Sequence, residues 1–362
     1  MDVTSILDSL NSAQREAVSS TDKHLLVLAG AGSGKTRVLV HRIAWLVQVE
    51  NISPHSILGV TFTNKAAKEM RGRLENMLGT SISGMWVGTF HGLAHRLLKL
   101  HWKDAGLPEN FQILDSDDQL RTVKRVYRLL GIDDSKWPYR QAQSFINKQK
   151  DDGLRSKKMP PADDPYQRIM TQIYIAYEDT CIRSGMVDFG ELLLRAYELW
   201  AQNPALLSHY QQRFGQILVD EFQDTNAIQY AWLRLLAGDS VRITAVGDDD
   251  QSIYGWRGAK VENILNFNHD YPETTTVRLE QNYRSTKNIL SAANAVISHN
   301  TDRLGKNLWT EEVEGEPISL YASFNEHDEA RFISGTINDW VKNGGMRAEV
   351  SILYRSNAQS RV

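Results

Sequence analysis

The sequence predicts an α/β protein: a parallel sheet covered by helices, split by a long helical insertion and followed by the start of a second α/β unit. Three observations carry this reading. Apolar runs at 24–28, 57–62, 85–88, 216–220 and 241–246 read as strands, and helical stretches separate the early ones. That alternation builds parallel sheets. Between 90 and 214 apolar residues recur at helical spacing (Leu93, Leu97, Leu98; Leu120, Val123, Val126; Ile169, Ile173, Tyr177; Leu192, Leu193, Ala196), and strand-like runs vanish. From about 274 the alternation resumes, with strand-like Thr276–Leu279, a helix over 286–299, strand-like Ile318–Leu320, a helix near 327–342 and strand-like Val350–Tyr354.

The first strand is the most informative element. Residues 24–36 read His-Leu-Leu-Val-Leu-Ala-Gly-Ala-Gly-Ser-Gly-Lys-Thr. An apolar strand runs into a small-residue loop that closes on Gly34-Lys35-Thr36 before a helix, the pattern of a phosphate-binding loop. Gly30, Gly32 and Gly34 let backbone N–H groups, Ser33 among them, turn toward phosphate oxygens, and the helix start aims its positive end at them. Lys35 reaches the β- and γ-phosphates, and the Thr36 hydroxyl holds Mg²⁺. The expected ligands are therefore ATP and Mg²⁺. One departure stands out: the first position of the pattern is Ala29, not glycine.

Such a loop needs an acidic partner. Ile217-Leu218-Val219-Asp220-Glu221 supplies it, a buried strand with two carboxylates at its C-terminal edge, where open α/β sheets place their ligands. Asp220 is expected to bind Mg²⁺ through water, and Glu221 to act as general base on the attacking water. Roughly 180 residues separate the two motifs, and the insertion accounts for the gap. A further strand ends at Gly247-Asp248-Asp249-Asp250-Gln251. Gln251, donor and acceptor at once, suits the γ-phosphate and its water. Asp249 and Asp250 are read as solvated and given no role.

Composition bounds the rest. The 362 residues are 41% hydrophobic and 23% charged, with a net charge of −3, so any attraction to nucleic acid must be local. No apolar run is long enough to cross a membrane. The opening Met1-Asp2-Val3-Thr4 lacks the basic-then-apolar order of a signal peptide. The lone Cys181 excludes an internal disulfide and multi-cysteine metal sites, and fits a reducing cytoplasm.

Aromatic and basic residues cluster at the strand ends. Phe62, Asn64 and Lys65 follow the second strand, and Thr89-Phe90-His91 the third. Tyr254-Gly255-Trp256-Arg257 lies just after Gln251. Rings that stack bases beside groups that track phosphates are how single-stranded DNA is held.

Together, Ala29–Thr36, Thr61–Ala67, Val219–Asp224, Gly247–Ala259 and Gln281–Ser285 resemble, in order, the motifs of the UvrD/Rep/PcrA helicases of superfamily 1, most of all the bacterial UvrD branch. The resemblance covers the whole chain. It implies a RecA-like motor domain (1–89 and 215–280), a helical insertion (90–214) and the first part of a second RecA-like domain (281–362). It implies that Gln14 reads the adenine edge, that Arg37 and Tyr283 flank the base, and that Arg284 is an arginine finger at the γ-phosphate. It assigns Phe62, Tyr254, Trp256 and Phe189 to base stacking, with Thr89, His91 and Arg257 near the DNA backbone. Implied partners are single-stranded DNA, duplex junctions, mismatch- and excision-repair proteins and a second copy of the chain, in a cytoplasmic, nucleoid-associated setting. The implied activity is 3′-to-5′ translocation. The sequence stops just after an apolar run, and the family carries further motifs beyond this point. The expectation is therefore a fragment that binds ATP weakly and does not unwind duplexes. A small-molecule kinase or a GTPase is the other class considered, but Asn64-Lys65-Ala66-Ala67 lacks the Asp that guanine reading requires.

Overall fold

The computed structural model describes residues 4–356 and 358–361, so the opening Met1-Asp2-Val3 and two positions of the closing stretch, Asn357 and Val362, lie outside it. It divides into two compact units, one running to Val313 and the other from Glu314.

The strands are β1 (His24–Ala29), β2 (Ile57–Thr61), β3 (Trp86–Thr89), β4 (Gln112–Ile113), β5 (Met186–Val187), β6 (Gln216–Val219), β7 (Arg242–Gly247) and β8 (Thr274–Leu279). Six form one sheet in the order β3-β2-β6-β7-β1-β8, every pairing parallel. Their side chains alternate between two cores. Leu26, Leu28, Leu58, Val60, Ile217, Val219, Ile243 and Ala245 face one. Leu25, Val27, Ala29, Ile57, Leu218, Val246, Val277 and Leu279 face the other. Both faces are thus covered, as a parallel sheet requires.

The stretch between 90 and 214 divides between two cores. Helices Phe90–Leu100 and Phe189–Gln202 bury Leu93, Leu97, Leu192 and Trp200 in the sheet's own core. A separate core lies within 114–186, built on Val123, Val126, Tyr127, Ile146, Met170, Ile173 and Tyr177. Strands do not vanish here: β4 and β5 form a two-stranded parallel ladder.

The region from 274 divides between the two compact units. β8 joins the first sheet beside β1 and opens no new one. Residues 281–313, assigned by sequence to the second domain, belong to the first compact unit. Helix Lys287–Ile297 forms as expected. In the second unit helix Glu326–Lys342 forms, with the Asn325 side chain accepting from the Asp328 backbone N–H. Tyr321 stacks on Phe332 at 3.9 Å. Ile318–Leu320 and Val350–Tyr354 are not strands. A strand needs a ladder partner, and these runs have none among the described residues; Leu320 is 96% exposed.

Candidate functional site

The strand order brings three C-terminal tips side by side, because β7 lies between β6 and β1. The 30–34 loop follows β1, Asp220-Glu221 follow β6, and Asp248–Gln251 follow β7.

Ala29 is the last residue of β1 and pairs with Leu279 of β8, so the departure from the loop pattern falls on ordinary strand backbone. Positive φ begins later, at Gly32 (68°) and Gly34 (91°), where a side chain is disfavoured. A Cβ at Gly32 would also lie 2.6 Å from Asn282 Nδ2 and 2.8 Å from Arg284 Cβ. Ser33 is turned inward, its Oγ donating to the Gly30 carbonyl at 2.8 Å. Lys35 and Thr36 start helix Lys35–Gln48.

Lys35 Nζ is buried, makes no hydrogen bond, and lies 3.7 Å from Glu221 Oε2. A buried ammonium whose N–H groups donate no hydrogen bond is costly. Opposite it, burial and then the neighbouring Glu221 push the Asp220 carboxyl up to about 7. The same two causes raise Asp224 to about 6. An unsatisfied cation facing crowded carboxylates fits the set of groups that a magnesium triphosphate would complete. Glu221 itself sits at φ 48°, a conformation costing about 1–3 kcal/mol away from glycine.

The remaining nucleotide candidates converge on the loop. Gln14 is buried, with Nε2 donating to the Ser33 carbonyl at 2.8 Å and Oε1 accepting from the Asn11 backbone N–H at 3.1 Å. Its amide therefore holds the loop and an N-cap. Arg37 is exposed and donates to the Ser9 carbonyl at 2.9 Å. The Tyr283 backbone N–H donates to the Gly32 carbonyl at 3.0 Å, and its hydroxyl accepts from Asn11 Nδ2 at 2.8 Å. Arg284 is exposed at the loop's edge.

Sequence reasoning missed the residues that lock these parts together. Gln223 is buried; its Nε2 donates to Glu221 Oε2 at 2.9 Å and its Oε1 accepts from the Asp248 backbone N–H at 2.9 Å. It ties the tip of β6 to the tip of β7. Asn282 donates to the Ala31 carbonyl at 2.6 Å and accepts from the Arg284 and Ser285 backbone N–H groups, tying the loop to the Arg284 turn. Both lie inside stretches read as motifs, yet neither has a side chain that advertises chemistry. Asp249 and Asp250 correct an expectation. They are not solvated: Asp249 is buried, and both pair with Lys306, at 2.9 and 2.7 Å. No local signal links Lys306 to them, since more than fifty residues intervene.

The DNA candidates gather in a second place. Phe62, His91, Phe189, Tyr254 and Arg257 line one cavity of about 330 Å³. Phe62 and Tyr254 stack in parallel at 6.4 Å, and His91 meets Phe189 edge-on at 5.7 Å. Burial lowers the His91 pKa to about 4, so the ring is neutral at pH 7. Trp256 is not among the cavity residues and is 71% exposed, with Arg257 lying 4.6 Å over its ring. Asn64 and Lys65 are exposed in the first turn of helix Asn64–Leu78. The Thr89 hydroxyl caps helix Phe90–Leu100, accepting from the Gly92 N–H at 3.2 Å.

Phe189 opens its helix and is 51% exposed. Beneath it Asp188 caps that helix and accepts from Lys150 Nζ and the Tyr177 hydroxyl, each at 2.8 Å. Lys150 also pairs with Glu191 at 3.0 Å. The cavity reaches the nucleotide side as well, since Asp224 and Asn226 line it. Asn226 donates to Asp151 of the helical stretch at 3.0 Å.

The fold and loop define the class: an α/β protein with a phosphate-binding loop at the C-terminal edge of a parallel sheet. The comparisons with known proteins narrow it. The UvrD/REP helicase N-terminal domain matches residues 10–272, and the UvrD-like helicase C-terminal domain matches residues 277–362. The chain belongs to the UvrD/REP helicase family. It is 64% identical over 362 residues to a DNA helicase II of Escherichia coli K12, covering all of this chain and 50% of the relative. Identity is 56% over 366 residues to a DNA helicase II of Haemophilus influenzae, and 47% over 364 residues to an ATP-dependent DNA helicase PcrA of Leuconostoc citreum. The chain spans about half the length of the curated relatives it matches. No helix among the described residues is long and apolar enough to cross a membrane.

Proposed function

We propose that these residues form the ATP-binding wall and much of the single-stranded DNA surface of an ATP-dependent DNA helicase that translocates 3′ to 5′. The observation that carries the reading is the buried Lys35 ammonium, which makes no hydrogen bond and meets Glu221 at 3.7 Å, at the meeting point of three strand tips. Lys35 binds the β- and γ-phosphates. Thr36 and Asp220 would hold magnesium, which neutralises phosphate charge when bound. Glu221 takes the proton of the attacking water, Gln251 orients that water, and Arg284 stabilises charge on the transferred phosphoryl group. Gln14, Arg37 and Tyr283 form the base end of the site.

Phe62, Phe189, Tyr254 and Trp256 stack bases without sequence preference, while Asn64, Lys65, Thr89, His91 and Arg257 follow the backbone. The loop from Asp248 to Arg257 carries both Gln251 and the Tyr254–Trp256 rings, which supports direct coupling between nucleotide and DNA. Movement comes from alternating closure of two motor domains, divided as 1–89 with 215–280 around the 90–214 insertion, and 281–362 onward. The working context is repair at duplex junctions, with mismatch- and excision-repair proteins or a second copy as partners, in the nucleoid-associated cytoplasm. Residues 1–362 alone bind ATP weakly and do not unwind duplexes.

ATPase assays on the full-length protein test the reading. Single-stranded DNA should raise turnover, and Lys35→Ala should abolish it. Turnover indifferent to DNA would point instead to a small-molecule phosphoryl acceptor. Unwinding by residues 1–362 at the full-length rate would sink the fragment proposal.

A further inference from the structure

We propose that Lys306 is a positioning residue of the nucleotide site, whose ammonium replaces a bound cation among Asp248, Asp249 and Asp250 and thereby fixes Gln251. The proposal rests on the reading that Gln251 faces the γ-phosphate.

The three aspartates offer carboxylate oxygens within 4.8 Å of one another, a spacing that could hold a metal ion. Like charges so close and so buried cannot all remain ionised without a cation. Here the cation is Lys306 Nζ, 2.6 Å from Asp248, 2.9 Å from Asp249 and 2.7 Å from Asp250. Burial works against the ammonium, but the aspartates outweigh it and hold its pKa above the ordinary lysine value. Arg303 pairs with Asp250, and the Leu304 backbone N–H donates to Asp249 at 2.8 Å. Among the described residues, Asp248 and Asp249 have no other ion-pair partner than Lys306.

The geometry gives this ion cluster a consequence for catalysis. Asp248 is a hub with three arms. Its backbone N–H reaches Gln223, which holds Glu221; one carboxylate oxygen pairs with Lys306; the other accepts from Gln251 Nε2. Fixing the carboxylate with Lys306 therefore fixes the rotamer of Gln251. The segment bearing Lys306 is itself held against the phosphate loop. Leu308 packs over Gly30 so closely that a Cβ there would lie 2.1 Å from Leu308 Cδ2. Trp309 accepts from the Asn282 N–H at 2.8 Å, beside the Arg284 turn. The segment thus touches the phosphate loop, the Gln251 loop and the Arg284 turn.

The test is steady-state ATPase of the full-length protein with single-stranded DNA, comparing wild type, Lys306→Met, Gln251→Ala and the double variant, with circular dichroism to score the folded fraction. Lys306→Met keeps most of the stem and removes the charge. The expected result is a kcat per folded molecule lower by about 10²-fold, with the KM for ATP nearly unchanged, as for a displaced catalytic group. The double variant should be no slower than Gln251→Ala alone, because both substitutions disable one element. A normal kcat in Lys306→Met, or losses that multiply in the double variant, overturns the proposal while leaving the role of Gln251 standing. A normal kcat in Gln251→Ala overturns the phosphate reading of Gln251 and this proposal with it. If Lys306→Met does not fold, Lys306→Gln, which keeps N–H donors in the nest, is judged by the same outcomes.

Discussion

The nucleotide end of the sheet and the aromatic cavity lie in one compact unit and are built on opposite principles. At the nucleotide end nearly every polar group is fixed in advance. Gln14, Gln223 and Asn282 are buried amides, each bonded on both sides, and Gly32, Gly34 and Glu221 hold positive φ. Lys35 Nζ and Asp224 Oδ1 are left without a hydrogen bond. The aromatic side shows the reverse. Trp256 and Phe189 stand open, and the rings contact one another loosely, at 5.7–6.4 Å between centroids. Chemistry on phosphate gains from donors that need no reorganisation. Stacking on successive bases of any sequence gains from faces that are exposed and tolerant.

The contrast orders what substitutions should do. The largest losses belong to the nucleotide end. Lys35→Ala should abolish ATP hydrolysis, and Glu221→Gln should slow it by about 10²–10⁴-fold, as expected for a general base, while ATP still binds in an equilibrium assay. Undiminished turnover would remove Glu221 as base. Next comes the buried ion cluster beneath Phe189. Lys150→Met leaves Asp188 and Glu191 without their ammonium and should cost about 3–5 kcal/mol in denaturant unfolding. A cost below about 1 kcal/mol, the value of an exposed pair, would mean that water reaches the cluster.

Asp220 gives a pH-dependent effect of opposite sign. Its carboxyl is pushed from 3.8 to about 7, so the proton favours the folded state. The stability it contributes is complete below the unfolded value and is lost as pH rises through about 7. Asp220→Asn should therefore stabilise the nucleotide-free protein at pH 8, by on the order of 2–4 kcal/mol, and have little effect near pH 4. Melting curves at the two pH values check this, and a pH-independent effect would show that burial and Glu221 do not raise the Asp220 carboxyl. The smallest effect is on the aromatic side. Trp256→Ala should weaken single-stranded DNA binding by about 1–3 kcal/mol, read by fluorescence anisotropy.

What was legible in the sequence follows the same division. The strands around the phosphate loop were readable because each is a short apolar run ending in glycine or acid, and local pattern suffices there. The strand-like runs at 318–320 and 350–354 were equally apolar, yet a strand exists only with a partner, which periodicity cannot supply. The 112–113 and 186–187 ladder is too short to leave a pattern. At the site, residues whose own chemistry is distinctive (Lys35, Asp220, Glu221) could be named in advance. Gln223, Asn282 and Lys306 could not, because their importance lies in what they touch. The aspartate run reads as solvated for that reason: its counter-charge comes from a distant segment.

The loop from Asp248 to Arg257 is where the two ends meet, with Gln251 bonded to Asp248 and Trp256 five residues on. If that loop transmits DNA occupancy to the nucleotide site, then ATP turnover of full-length Trp256→Ala, measured with and without saturating single-stranded DNA, should keep its basal rate and lose most of its stimulation. A fall in basal and stimulated rates by the same factor would contradict the account and leave Trp256 a packing residue.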